Sequence, residues 1–233
     1  MIRAREVFTQ IQKITHKMIE AGLAIDQCSP SIKQLYNPPR EEVNISGVQL
    51  DSRSIFLKKI PYRIMYYELL KGRFFNMKMI DGALIQMQYM FCNDGIERHR
   101  LSFFPNPDVY SFQNCSDTYL EDEVYSDIVD IRSVCVPIRF DYDASKNISG
   151  EKIAKPVIHP VSHLTIGQYK NCRIPVSAAL TPYQFVEFIV RNFYNTDAEI
   201  FTNYLERWNK YFEVSIFDEE KTIINIGSVT TNG

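Results

Sequence analysis

Histidine is scarce in this chain, with four in 233 residues. Two of them, His159 and His163, stand four apart in VIHPVSHLTIG, residues 157–167. Cysteine is sparse as well. Cys28, Cys92, Cys115, Cys135 and Cys172 form no C-x-x-C unit, and an odd, scattered set argues against a disulfide framework or a zinc finger. Reduced thiols in a cytosol are the matching expectation. No stretch approaches the ~18 apolar residues of a membrane helix. The N-terminal MIRAREVFTQIQK carries charge without the apolar centre of a secretory signal. The reading is a cytoplasmic protein with no membrane partner. A net charge of −2 argues against a basic field over the whole protein, though not against a local basic groove. Neither a phosphate-cradling G-x-x-x-x-G-K-[ST], nor G-x-S-x-G, nor the kinase set occurs.

What is present suits an ordinary globular domain: 45% apolar and 23% charged residues, enough to bury a core without staples. Fifteen phenylalanines and 14 tyrosines lean toward β structure. Residues 3–22 read as an amphipathic helix, because Val7, Ile11, Ile14, Met18 and Ile19 recur at three- and four-residue steps and Gly22 offers a stop. NPPREE reads as a turn or linker, so residues 1–40 could form a helical subdomain of an otherwise single domain spanning 1–233. Residues 61–79 are ambiguous between helix and strand.

The hairpin signal lies at 82–104. Ile85, Met87, Tyr89 and Phe91 alternate with Gln86, Gln88 and Met90, and Asn93-Asp94-Gly95 suits a tight turn. On the return strand Glu97, His99 and Leu101 face one way and Arg98 and Arg100 the other. An acidic loop-like stretch covers 104–127. A strand is expected over 128–143, with Pro137 marking a bulge or edge. LTPYQFVEFIVRNFY opens a helix, with Thr181 as N-cap, Pro182 at the first position and Gln184 completing a capping box. A second helix is expected over about 197–211, carrying Trp208, and a last hairpin around DEEK. The fold class is therefore α+β: a mostly antiparallel or mixed sheet of about five to seven strands, with an N-terminal helix and two helices of the C-terminal half packed on it.

The candidate site grows from the two histidines. Pro160 and the absence of a following Glu rule out the zinc-protease helix. On a strand, a four-residue spacing keeps both rings on one face. In RFDYD the same period puts Arg139, Asp141 and Asp143 on one face. If these strands pair across the 144–156 loop, the five side chains converge, and Arg173 could join them. Histidine, carboxylate and arginine together fit phosphodiester cleavage or phosphate binding. Two Asp and two His could instead hold a divalent metal. The same alternation also marks the wet face of a half-exposed strand, where an Arg–Asp pair adds little. KGRFFNMK, residues 71–78, mixes basic and aromatic residues as single-strand binders do, but such phenylalanines more often fill a core.

RFDYD, followed by HPVSHLTIGQYKNCRIPVSAALTPYQFVEFIVRNFY over 159–194, resembles the signature region of the bacterial domain-of-unknown-function 2290 family. The ordered parts agree over many positions: the R-F-D-Y-D strand, H-P-x-S-H-L-T-x-G, C-R-I-P, then the L-T-P-x-x-F helix. The resemblance implies a bacterial, cytosolic, single-domain protein encoded among mobile or phage-defence genes. It implies a component of a defence or toxin-like system acting on nucleic acid: a nuclease-like effector, or an accessory module that binds a protein partner. The family's motif falls on Arg139, Asp141, Asp143, His159, His163 and Arg173. In the enzyme reading His163 is general acid or base and His159 its partner. Asp141 or Asp143 orients a histidine or holds a metal, and Arg139 and Arg173 hold phosphate.

Overall fold

A computed structural model describes residues 1–46, 60–108, 136–146, 150–151, 153–169, 171–194 and 207–228. In chain order the elements are α1 (Ala4–Glu20), β1 (Ala24–Gln27), β2 (Pro30–Tyr36), β3 (Pro39–Ile45), α2 (Tyr62–Lys71), β4 (Met77–Met79), β5 (Leu84–Cys92), β6 (Gly95–Phe104), β7 (Ile138–Asp143), β8 (Ser162–Ile166), β9 (Ile174–Pro175), α3 (Pro182–Phe193) and α4 (Asp218–Lys221). The strands make one sheet, nine-stranded among the described residues, in the order β1-β4-β5-β6-β7-β8-β9. The β2–β3 hairpin attaches through β3 to β5. All the strand ladders are antiparallel, so the α+β class holds, with more strands than the sequence suggested.

Side-chain alternation gives the sheet two unlike faces. Ile85, Met87, Tyr89, Leu101, Phe103, Phe140 and Leu164 point to one face and join a single core with α1 and α3. Val7, Ile11, Ile14 and Met18 of α1 and Phe185, Val186, Ile189 and Val190 of α3 are fully buried there. Each such side chain contributes about 1.5–3 kcal/mol of burial. Gln10 ties the two helices, its Oε1 accepting the Tyr183 N–H at 3.2 Å. Among the described residues the opposite face is covered at one end, where Met65, Tyr66 and Leu69 of α2 meet Phe75, Leu84 and Phe104. Phe75 and Tyr66 are thus core residues, and Arg73 pairs with Asp26 at 2.8 Å.

Helix α1 lies in the main core, and NPPREE is the turn and start of strand β3. Two expectations change. DEEK is a one-turn helix, and its flanking segments do not form a hairpin with each other. They bridge instead to the chain between β9 and α3, Val214 to Ala178 and Ile226 to Val176. Residues 207–211 are not helical, and Trp208 packs against the core; the rest of the expected 197–211 helix lies outside the described residues. So do Cys115, Cys135, the acidic stretch beyond residue 108 and the 128–135 part of the expected strand, which is seen from Ile138.

The α3 start follows the sequence rule. Thr181 Oγ1 accepts the Gln184 N–H at 3.2 Å and Gln184 Oε1 accepts the Thr181 N–H at 3.0 Å. Thr181→Ala is expected to cost about 1 kcal/mol. Phe185→Ala, which leaves a void against Phe140, is expected to cost about 3–5 kcal/mol. Urea unfolding of the two variants measures both, and equal losses would contradict this division between cap and core.

Candidate functional site

The register of β5 to β8 sets the polar face in rows. Gln86, Ser102, Arg139 and Thr165 lie in line across four strands, then Gln88, Arg100, Asp141 and His163, then Met90, Arg98 and Asp143. Glu42 of β3 extends the last row beside Met90. Among the described residues these rows, Gln86 and Ser102 apart, border an open concavity of about 1070 Å³. Its lining includes Arg139, Asp141, Asp143, His159, His163 and Arg173, so all six sequence candidates meet there. It also includes Arg98, Arg100, Gln88, Asn44 and Glu42, which the sequence reading did not place in the site. The alternation of Arg98 and Arg100 on the hairpin was the available signal for those two. No local signal pointed to β3.

Asp141 is the hub. Its carboxylate accepts Arg100 Nε at 3.0 Å and Arg139 Nε at 2.5 Å. Burial raises its pKa, but the two guanidiniums and His163 outweigh that and hold the carboxyl below its ordinary range. Asp143 pairs with Arg98 at 3.5 Å and caps the following bend by accepting the Ser145 N–H at 2.9 Å.

His163 is buried and oriented by the backbone rather than by a carboxylate. Its Nδ1 lies 3.1 Å from the Pro160 carbonyl, which can only accept, so Nδ1 carries the proton. Nε2 then presents a lone pair, 3.9 Å from Asp141 Oδ2. Burial pushes the pKa of His163 down to about 4 despite the nearby Asp141 charge, so the ring is neutral near pH 7.

His159 does not share strand β8 with it. It sits in a tight turn closed by paired backbone bonds with Lys155 at 2.8 and 2.9 Å, and reaches His163 with ring centroids 5.4 Å apart. Val157 in that turn has φ +65°, a strained value for a β-branched residue. The turn is fastened on both sides: Glu220 Oε1 accepts the Val157 N–H at 3.0 Å, and Arg173 donates to the Ile158 carbonyl at 3.1 Å. Burial, then the Arg173 charge, lower the His159 pKa. Among the described residues no three of His, Cys, Asp and Glu are grouped as metal ligands.

On the helix-covered face, His99 Nε2 accepts the Leu180 N–H at 3.0 Å, while the Tyr89 hydroxyl donates to the Leu180 carbonyl at 3.0 Å. Burial pushes the His99 pKa to about 3. The sheet behind the site is thereby pinned to the residue just before the α3 cap.

Residues 23–228 match the model of a family described as "Uncharacterized conserved protein (DUF2290)". None of the curated proteins and none of the solved structures matches the chain.

The two buried histidines set a pH response. Both are neutral in the fold, while the unfolded chain protonates histidine near pH 6.5. Below that pH the unfolded state binds more protons, so stability is full above about pH 6.5 and falls as pH drops toward the folded values. Between pH 7 and 5 the expected loss is about 2 kcal/mol for each ring. Asp141 acts lower, its contribution disappearing only as pH falls through its depressed folded value. Urea unfolding at pH 7 and pH 5 measures the slope. His163→Gln is expected to remove roughly half of it, and a flat wild-type profile would contradict the assignment.

Proposed function

We propose that this chain, which belongs to the DUF2290 family, uses the cleft to bind and cut the phosphate backbone of a nucleic acid. The observation that carries the reading is His163: a neutral ring whose tautomer is fixed and whose Nε2 lone pair, 3.9 Å from the Asp141 carboxylate, belongs to the lining of an open cleft that four arginines share. Four arginines line the cleft against three carboxylates, a local positive balance on a chain of net charge −2. Arg139 and Arg173 hold the phosphate, with Arg98 and Arg100 beside them. Arginine suits this because its planar fork matches phosphate oxygens. Asp141 keeps Arg100 and Arg139 in place.

His163 Nε2 takes the proton of the attacking water or ribose hydroxyl. An approaching phosphate raises the histidine pKa toward neutrality, since a nearby negative charge favours imidazolium. His159, in ring contact with His163, serves as its partner in proton transfer. Such an activity suits a cytoplasmic component of a bacterial defence or toxin-like system.

A second reading comes from the Arg100–Asp141–Arg139 bridge, which satisfies its own charges as a structural network does. In that reading the protein is a non-catalytic module that binds a protein partner, and the polar row only holds the strands in register.

The test is cleavage of labelled single- and double-stranded RNA and DNA, with Mg²⁺, with Mn²⁺ and with EDTA. Wild-type cleavage is expected, with His163→Ala slowed about 10²–10⁴-fold, the usual worth of a general acid or base. EDTA sensitivity would add a metal to the reading. No cleavage of any substrate, with the variant merely less stable, would sink the catalytic reading in favour of the module.

A further inference from the structure

The cleft has a second, chemically different end. At the β3 wall Glu42 is 6% exposed, yet its Oε2 accepts no hydrogen bond among the described residues. A buried carboxylate oxygen without a donor costs free energy that a ligand can return. The neighbouring amides are fixed by logic rather than by choice. Asn44 Oδ1 accepts the Ile45 backbone N–H at 2.8 Å, so it is the oxygen, and Asn44 Nδ2 is the donor toward Glu42 Oε1 at 3.4 Å. The group of Gln88 that meets Asn44 Oδ1 at 2.9 Å must then be its Nε2. Gln88 Oε1 is left as an acceptor. Each amide spends one N–H, on Asn44 Oδ1 and on Glu42 Oε1, and keeps a second; the unmatched buried atom of this wall is the acceptor Glu42 Oε2, with Gln88 Oε1 as a further acceptor.

An acceptor wall selects a ligand edge with adjacent donors. Of the common bases only guanine has two side by side on its pairing edge, N1–H and the N2 amino group. Adenine and cytosine set an acceptor next to their amino group, and uracil flanks its N–H with two carbonyls. Met90 lies in the row between Glu42 and Arg98 and lines the same cleft, an apolar floor for a flat base. Arg98 stands two strand spacings from Glu42, about 10 Å, which is the reach of a nucleotide from pairing edge to phosphate. Its buried Nε, 3.5 Å from Asp143 Oδ1, makes no hydrogen bond among the described residues.

We propose that the β3 wall is a guanine subsite, with Glu42 and Gln88 reading N1–H and N2–H while the arginines take the adjoining phosphate. The inference rests on the phosphate reading of the cleft and names its preferred nucleotide.

The experiment is calorimetric titration of the full chain with guanosine 5′-monophosphate, uridine 5′-monophosphate and inorganic phosphate. The expected result is guanosine monophosphate binding at least about 10-fold tighter than uridine monophosphate, the usual worth of a two-bond base contact. Glu42→Gln is expected to bring the two nucleotides within about 2-fold of each other and to leave phosphate binding unchanged. Gln88→Leu, at a less buried position, carries the same test if Glu42→Gln melts early. Equal binding of the two nucleotides by the wild type, with phosphate competing, would overturn the guanine subsite and leave the phosphate reading standing. No binding of either nucleotide or of phosphate would overturn both. Equal weakening of all three ligands in both variants would show Glu42 acting on the fold, and would also overturn the subsite.

Discussion

A slip of one residue between β6, β7 and β8 would turn Arg98, Arg100, Arg139 and His163 into the core and Leu101, Phe140 and Leu164 into water. The register of these three strands is therefore the constraint on which the cleft depends. Hydrophobic burial on the α1–α3 side enforces it. On the other side, the row Arg100–Asp141–His163 is a consequence of that register and also a lock on it, since Asp141, already bound to Arg139 on its own strand, reaches Arg100 across the ladder only in this pairing.

Polar rows on a half-buried sheet are costly. A carboxylate at Asp141's depth loses much of its hydration, and two guanidiniums are needed to offset that loss. The histidines follow a different rule. His163 and His99 escape the cost by staying neutral, each fixed through one ring nitrogen by a backbone group: the Pro160 carbonyl for one and the Leu180 N–H for the other. A neutral imidazole with a free lone pair differs from a charged one as chemical equipment. It accepts protons and donates none to an anion until something in the cleft recharges it.

The part of the site that follows strand alternation was legible in the sequence. Arg139, Asp141 and Asp143 share a face because period two leaves them no other choice, and His163 meets Asp141 directly across the ladder. The α3 cap at Thr181 was equally local. What sequence could not supply was non-local. The histidine orienter is the Pro160 carbonyl, and no residue type announces that. The β3 wall comes from a segment that two prolines disguise as a linker, brought beside Gln88 from 44 positions away. The C-terminal segment reads as a hairpin in isolation because its true neighbours, Val176 and Ala178, are distant in the chain.

One edge of β5 is shared. Its first residues pair with β4 through Met77 and Lys78, its last with β3 through Glu41, Glu42 and Val43, and Asn76 fills the interval by accepting the Met87 N–H at 2.6 Å. The sheet is thus a fork with β5 as its stem. The prong that carries Glu42 and Asn44 is hydrogen-bonded to the stem along only three pairs, while the arginine-bearing strands are zipped continuously on the other side. The two walls of the cleft are joined through those three pairs, through the Gln88–Asn44 contact and through the fork of Arg40 in β3 on Glu97 in β6. Anything long enough to touch both would act as a further tie across the fork, adding to the short β3–β5 ladder a bond that the backbone does not supply.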